Sequence, residues 1–210
     1  GGSAPGIIFE DANIDLAVGN ACFSRLYNEG QCCDGLKRLV VQESVYDSVI
    51  EKVAANFSAK RIGNAEEKDT EVGPLVAKRQ LDALVSQVKD AKEKGATVVV
   101  GGNSLEEKMG GAFFEPTVLT NIASDMKVWK EEVFGPVLPI VKFKTENEAI
   151  EFANQTLYGL GAYVYTQNKE RVERVSALLE SGMVSVNGTN YVMPFNPFGG
   201  YKNSGFGREH

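Results

Sequence analysis

The sequence predicts an α/β fold: three layers, with a mainly parallel, twisted sheet and helices on both of its faces. Two observations carry this. Short runs of apolar and β-branched residues alternate with amphipathic helical stripes through most of the chain, and that alternation favours right-handed crossovers between parallel strands. No internal repeat, low-complexity linker or shift in composition interrupts it. Residues 1–210 therefore read as one domain, and the length is enough for one large core.

Each element follows from its local pattern. A turn at Gly1-Gly2-Ser3-Ala4-Pro5-Gly6 leads into a buried strand at Ile7-Ile8-Phe9. Asp11, Asn13 and Asp15 are N-cap candidates for a helix whose stripe is Ile14, Ala17, Val18, Ala21, Cys22 and Leu26. Cys22 lies on that stripe and reads as core. Residues 36–42 form a strand centred on Leu39-Val40-Val41, and a helix runs from 44 to about 60. Turn formers fill 62–64 and 70–74. Residues 80–94 are a second amphipathic helix stopped by Gly95. Thr97-Val98-Val99-Val100 is a β-branched strand, 103–111 an outward loop, and 113–119 extended. Strands at 137–141, 162–165 and 183–187 alternate with helices at 147–154 and 169–180. Tyr158-Gly159-Leu160-Gly161 reads as a turn, and the tail 188–210 as an ordered loop.

Composition narrows the function. Hydrophobic residues make up 43% and charged residues 24%, as in ordinary globular proteins. A net charge of −6 with no basic run argues against nucleic acid and against an anionic membrane surface as partners. No apolar stretch reaches the length of a membrane span, and the first residues carry no secretory signal. The three cysteines, Cys22, Cys32 and Cys33, are an odd count with two adjacent. That is a poor disulfide framework, so a reducing, cytoplasmic location is expected. The cysteines lack paired ligand spacing and the single histidine is His210, so no metal site is expected. A Cys-His pair within the chain is likewise not expected. A base for a cysteine nucleophile must be a carboxylate, a lysine, or a group outside the sequence.

The stretch with chemical potential is Asn28-Glu29-Gly30-Gln31-Cys32-Cys33-Asp34-Gly35. Its glycines permit sharp turns and close approach of another group. A thiolate presented there can attack a carbonyl. A buried cysteine pair beside the core is the competing reading, since free Cys often packs as a small hydrophobe.

This stretch resembles the Gly-Gln-x-Cys segment of the NAD(P)-dependent aldehyde dehydrogenase superfamily. Four other segments extend the resemblance in family order. Gly1-Gly2-Ser3-Ala4-Pro5 is similar to the Gly-Gly-x-x-Pro after the family's general-base Glu. Glu131-Glu132-Val133-Phe134-Gly135-Pro136-Val137 is similar to its Glu-Glu-hydrophobic-Phe-Gly-Pro-Val, and Asn154 with Tyr158-Gly159-Leu160 to its Ala-Asn-x-x-x-Tyr-Gly-Leu. The run from Pro197 to Glu209 is similar to its Pro-Phe-Gly-Gly-x-Lys-x-Ser-Gly-x-Gly-Arg-Glu.

The resemblance implies oxidation of a small aldehyde to the acid with NAD or NADP. Cys33 would be the nucleophile, Glu132 would accept hydrogen bonds from the nicotinamide-side ribose, and Phe134 would pack near the nicotinamide. Asn187 and Phe198 would line the aldehyde pocket. Tyr191, Met193 and Phe195 hint that this pocket is apolar. The thiohemiacetal oxyanion would be held by the Cys33 backbone N–H and an Asn side chain, and a Glu-activated water would hydrolyse the thioester. By family order, the base, the oxyanion Asn and most of the dinucleotide site fall outside the sequence. It reads as the nucleophile-bearing catalytic domain of a longer chain that forms homo-oligomers, and as inactive alone. One departure is Asp34, where the family has a small or apolar residue. A carboxylate there disfavours a thiolate unless it points away. Two other classes remain: a cofactor-independent thiol esterase or acyl-transferase, and a non-catalytic scaffold paralogue.

Overall fold

The computed structural model describes residues 1–190 and 192–210. Its frame is a seven-stranded sheet of order β3-β4-β5-β2-β1-β7-β8. The strands are β1 (Ala4–Ile8), β2 (Leu36–Gln42), β3 (Thr97–Val100), β4 (Thr117–Thr120), β5 (Val137–Phe143), β7 (Gly161–Tyr165) and β8 (Met183–Val186). All neighbours pair in parallel except β3, which runs antiparallel to β4 at one edge. Every residue of β1, β4 and β7 is buried, as expected for parallel strands covered on both faces.

Helices α1 (Ile14–Leu26) and α2 (Tyr46–Ser58) cover one face. Their Ala17, Ala21, Cys22, Val49, Val53 and Phe57 pack with Ile8, Leu39, Val41 and Ile140 of the sheet. The other face carries α6 (Glu146–Asn154) and α7 (Lys169–Leu178) over Ile7, Val40 and Val164. There α3 (Lys78–Glu93) and the one-turn α5 (Lys127–Lys130) pack over Leu119 and Val137. Asn13 is the N-cap of α1, its Oδ1 accepting from the Leu16 N–H at 3.1 Å. Thr145 and Glu148 form a reciprocal capping box at α6.

Three regions differ from the sequence reading. The polar stretch 103–111 contains a one-turn helix, α4 (Glu106–Met109), rather than only a loop. Within 113–119 the strand is confined to its last residues, while Phe113 and Phe114 serve as buried packing. The Tyr158-Gly159 turn and the tail are joined. A two-residue strand β6 (Tyr158–Gly159) pairs antiparallel with β9 (Tyr201–Lys202). Lys202 Nζ also donates to the carbonyls of Asn154 and Thr156 at the end of α6, at 3.0 and 3.1 Å. A cation at a helix C-terminus satisfies carbonyls that the helix leaves open, and this fixes the tail where pattern alone showed only glycines and aromatics.

Two adjacent basic residues of β2 are buried. Arg38 donates to Ser3 O and to Phe152 O and Ala153 O in the last turn of α6, at 2.8 to 3.1 Å, with its guanidinium 4.7 Å from the Trp129 ring. Lys37 turns toward the loop before β2. A register shift makes the divergence possible: Ala4 pairs with Leu36 but Pro5 with Arg38, leaving Lys37 as the extra residue of a bulge.

Arg25 of α1 is the third buried cation, fully enclosed. Its Nη2 donates to Gly30 O at 2.6 Å, Gly135 O at 2.5 Å and Val133 O at 3.3 Å, and its Nη1 to Leu36 O at 3.1 Å. It ties the cysteine loop to the loop before β5. Gly30 has φ +77°, and a Cβ there would lie 2.1 Å from Arg25 Nη2 and 2.2 Å from Gly135 O, so only glycine fits.

Two predictions follow from these anchors. Arg25→Met strands several buried carbonyls and should lower unfolding free energy by about 3 kcal/mol or more. Arg25→Lys, without the planar fork, should fall between it and wild type in denaturant midpoint. At the carboxyl end of the sheet, Asp11 accepts from Thr166, Gln167, Asn168 and Arg171, and Glu146 from Arg171 and Arg174. Burial opposes the Asp11 charge, but the Thr166 bond and Arg171 outweigh it and hold its carboxyl below the usual range. The Arg174 bond, followed by Arg171, does the same for Glu146 despite some burial. Depressed carboxyls bind fewer protons folded than unfolded. Their stabilisation is complete above the ordinary carboxylate range and is lost as pH falls through and below it. Asp11→Asn should therefore flatten the acid limb of a stability–pH curve.

Candidate active site

The cysteine loop connects α1 to β2 and sits at the amino end of the parallel strands. Around it lie other segments at the same end: Gly1-Gly2-Ser3 before β1, Glu132 to Gly135 before β5, and Leu160 before β7. In open parallel sheets the usual ligand crevice is at the carboxyl ends, so this placement was not readable from the fold class.

The loop is held in a sparsely populated conformation. Asn28 and Glu29 have φ +48° and +55°, and Gly30 follows at +77°, so consecutive residues are left-handed. Side-chain bonds to the segment before α3 support it. Glu29 Oε1 accepts from the Gly73 N–H at 3.0 Å, and Gln31 Oε1 from the Val76 N–H at 2.9 Å. From β7, the Tyr163 hydroxyl donates to Asp34 O at 2.9 Å, and from α1 Ser24 Oγ accepts from the Leu36 N–H at 2.9 Å. The loop is a scaffolded turn.

Its thiols are not equivalent. Cys22 is buried in α1, and burial pushes its thiol up to about 12. Cys32 Sγ donates to Asp34 Oδ1 at 2.9 Å. Burial first, then that bond and the Asp34 charge, push the Cys32 thiol up to about 11. Both stay protonated at neutral pH. The Asp34 carboxylate is thus directed at Cys32, the arrangement under which a carboxylate at this position is tolerable. Cys33 is half-buried and lines a cavity of about 280 Å³ with Gly1, Leu160, Phe198 and Arg208.

The Gly1-Gly2 pair explains itself against this cavity. A Cβ on Gly2 would lie 2.2 Å from Cys33 O, so glycine lets the start of β1 run against the cysteine backbone. The Gly2 N–H donates to Glu132 Oε1 at 2.8 Å, which orients that carboxylate at the rim. Phe134 stacks over Lys37, Nζ to ring centroid 4.9 Å. The structure therefore brings Cys33, Phe198, Glu132 and Phe134 to one end of the sheet.

Asn187 is placed elsewhere. It follows β8 at the carboxyl end, with φ +50°. Its Oδ1 accepts from the Thr166 N–H at 3.1 Å and its Nδ2 donates to Thr166 O at 2.9 Å. That side chain joins the ends of β7 and β8. Of the aromatic tail residues, Tyr191 lies outside the described residues and Phe195 is 77% exposed. A second cavity, of about 380 Å³, lies on the other side of the loop and is lined by Phe23, Tyr27, Cys32, Asp34, Tyr163 and Val192. Sequence reasoning singled out neither Phe23 nor Tyr27, since aromatics outside the apolar stripe carry no periodic signal. Their exposure, 62% and 59%, and ring separation of 5.8 Å mark them.

Among the described residues no cluster of His, Cys, Asp or Glu could hold a metal ion. For a nicotinamide dinucleotide the residues fit one half only. Glu132 offers a carboxylate oriented by Gly2, Phe134 offers a ring beside it, and the glycine-rich tail lacks the strand-to-helix context of a phosphate loop.

Comparison with known proteins agrees with this architecture. The model of the aldehyde dehydrogenase family matches residues 1–210. The 3-sulfolactaldehyde dehydrogenase of Pseudomonas putida is 44% identical over the whole chain, which covers 43% of that protein. The chloroplastic betaine aldehyde dehydrogenase of Beta vulgaris is 42% identical, again over the whole chain and 42% of its own length. The chain thus spans about two fifths of the curated relatives it matches. Among solved structures, an NADP-dependent enzyme of E. coli superposes with TM-score 0.95 at 43% identity, covering 99% of this chain and 43% of that one. The NAD+ complex of Staphylococcus aureus betaine aldehyde dehydrogenase gives TM-score 0.94 at 38% identity, covering 99% of this chain and 42% of that one. With a full-length family match, relatives above 40% identity and a shared fold, the chain belongs to the aldehyde dehydrogenase family.

Proposed function

We propose that this chain is the nucleophile-bearing domain of an NAD(P)-dependent aldehyde dehydrogenase, with Cys33 as the nucleophile. The observation that carries the reading is the sorting of the thiols. Cys22 is buried, Cys32 is bonded to Asp34, and Cys33 faces the cavity that also holds Phe198.

The chain's own residues account for the first steps. The Cys33 thiol gives up its proton to a base of the longer protein, the thiolate Sγ attacks the aldehyde carbon, an S–C bond forms, and the carbonyl π pair moves onto oxygen. The Cys33 backbone N–H meets that oxyanion. Phe198 closes one wall of the cavity against the substrate. Glu132, fixed through one oxygen by the Gly2 N–H, keeps its other oxygen to accept from a ribose hydroxyl. The chemistry that NAD(P)+ supplies when bound is acceptance of a hydride, which leaves a thioester on Cys33. Hydrolysis to the acid requires a carboxylate-activated water, and the family's general-base Glu would supply that carboxylate. The remaining dinucleotide contacts, the second oxyanion donor and the oligomer interface belong to other segments of that protein, and the compartment is cytoplasmic.

Two measurements test this. NAD(P)+ reduction with a panel of short aldehydes by the full-length protein should be abolished by Cys33→Ala and kept by Cys22→Ala. Residual NAD(P)H formation in Cys33→Ala sinks the assignment, and a wild-type protein that hydrolyses esters through Cys33 without NAD(P)+ and forms no NAD(P)H would be a thiol esterase instead. Glu132→Gln should raise KM for NAD(P)+ by about tenfold, the loss of one charge-assisted hydrogen bond, with a smaller change in kcat. An unchanged KM removes Glu132 from the cofactor site.

A further inference from the structure

Building on that reading, we infer that Lys37 is a positioning residue for the oxyanion donor: its ammonium polarises the Cys32–Cys33 peptide. The argument is geometric. Lys37 is 1% exposed. It occupies the bulge where β1 pairs with Leu36 and then with Arg38, and a bulge re-aims a side chain out of the strand's alternation. The side chain is thereby turned away from the sheet faces and into the base of the cysteine loop. There Nζ donates to Cys32 O and, at 3.4 Å, to Gly30 O, with the Phe134 ring 4.9 Å away.

Cys32 O and the Cys33 N–H belong to one peptide unit. A cation bonded to the carbonyl oxygen draws electron density along the amide and makes the N–H at the other end a stronger donor. In the proposed mechanism that N–H meets the oxygen which gains charge as Cys33 Sγ bonds to the aldehyde carbon. The interaction therefore strengthens as the transition state forms, and this is the condition for it to raise kcat. No proton moves to or from Lys37 in the step, so Lys37 acts through the peptide and touches no reacting atom.

The charges that face Lys37 are Arg25 from α1, Glu132 from the loop before β5, and Cys32 and Cys33 from its own loop. Burial and the Arg25 charge pull the Lys37 ammonium down to about 7, while Glu132 and the thiols favour its charged form. Without Glu132 the enclosure would hold two cations and no anion among these neighbours. A buried lysine titrating below its usual range gives the polarisation a pH dependence. It is complete at low pH and fades as Lys37 loses its proton.

The test uses the full-length protein and reads kcat against pH. Lys37→Met should lower kcat by roughly tenfold near neutral pH, less than the loss of a whole oxyanion donor. Lys37→Gln, which keeps a neutral donor, should lie between, and Lys37→Arg should recover most of the rate. The signature is in the pH profile. The advantage of wild type over Lys37→Met should shrink as pH rises, while that of Lys37→Arg persists, because a guanidinium stays protonated. A ratio constant across pH, or no recovery in Lys37→Arg, marks a packing role and overturns the inference. If Lys37→Met does not fold, wild type against Lys37→Arg decides: parallel profiles overturn it. A wild-type protein that forms no NAD(P)H with any aldehyde fails at the preceding reading, and this inference falls with it. An active wild type with insensitive Lys37 variants fails here alone.

Discussion

The structure depends on one buried guanidinium. Arg25 reaches from the last turn of α1 to carbonyls on the cysteine loop, on the loop before β5 and on the first residue of β2. Neither loop has a regular partner of its own. The cysteine loop spends consecutive residues in left-handed backbone, and the 132–135 segment is a bare connection into β5. A planar fork with five donors can satisfy carbonyls converging from three directions. Desolvating that charge is costly, and the hydrogen bonds offset the cost only while every acceptor stays in place. Enclosure of Arg25 thus couples the two loops: displacing either one exposes an unpaired cation and several orphaned carbonyls.

The same economy governs β2. A strand at the centre of a parallel sheet is expected to be uniformly apolar, yet Lys37 and Arg38 are enclosed side by side. The bulge resolves the conflict by sending them to different places. Arg38 caps the end of α6 and stacks on Trp129 on the far side of the sheet, while Lys37 turns to the cysteine loop. One irregularity of register therefore serves both a helix terminus and the site.

Much of this was legible in sequence because it rests on periodicity. Ile7-Ile8-Phe9, Leu39-Val40-Val41 and the run at 137–141 are long enough in β-branched and apolar residues to declare strands, and the stripe through Ala17, Ala21 and Cys22 declares α1. Cys33, Glu132, Phe134 and Phe198 were singled out by the family resemblance rather than by periodicity, and the fold places them at one end of the sheet. What could not be read depends on tertiary contact. A buried Arg25 or Lys37 has the same letters as a solvated charge. The antiparallel direction of β3 is set by chain connection, not by its side chains. The pairing of Tyr158-Gly159 with Tyr201-Lys202 joins segments too short to carry a period of two. Asn187 follows a strand whose parallel direction carries it to the carboxyl end, where the main chain of Thr166 takes both of its polar atoms.

Asp34 shows how position decides chemistry at fixed composition. Beside a thiol nucleophile, a carboxylate raises the cost of forming a thiolate by like-charge repulsion. The structure directs that cost onto one neighbour. The Cys32 thiol donates to Asp34 Oδ1, so the carboxylate gains a hydrogen bond by keeping Cys32 protonated, and the Asp34 main chain is held separately by Tyr163. Adjacent residues of an irregular loop need not present their side chains to the same space. Cys32 and Asp34 border the cavity beside Phe23 and Tyr27, and Cys33 borders the one that contains Phe198. The pair of thiols that looked redundant in sequence is thus divided between two surroundings. One thiol is paired with a carboxylate and kept neutral, and the other lies against the cavity that holds Phe198.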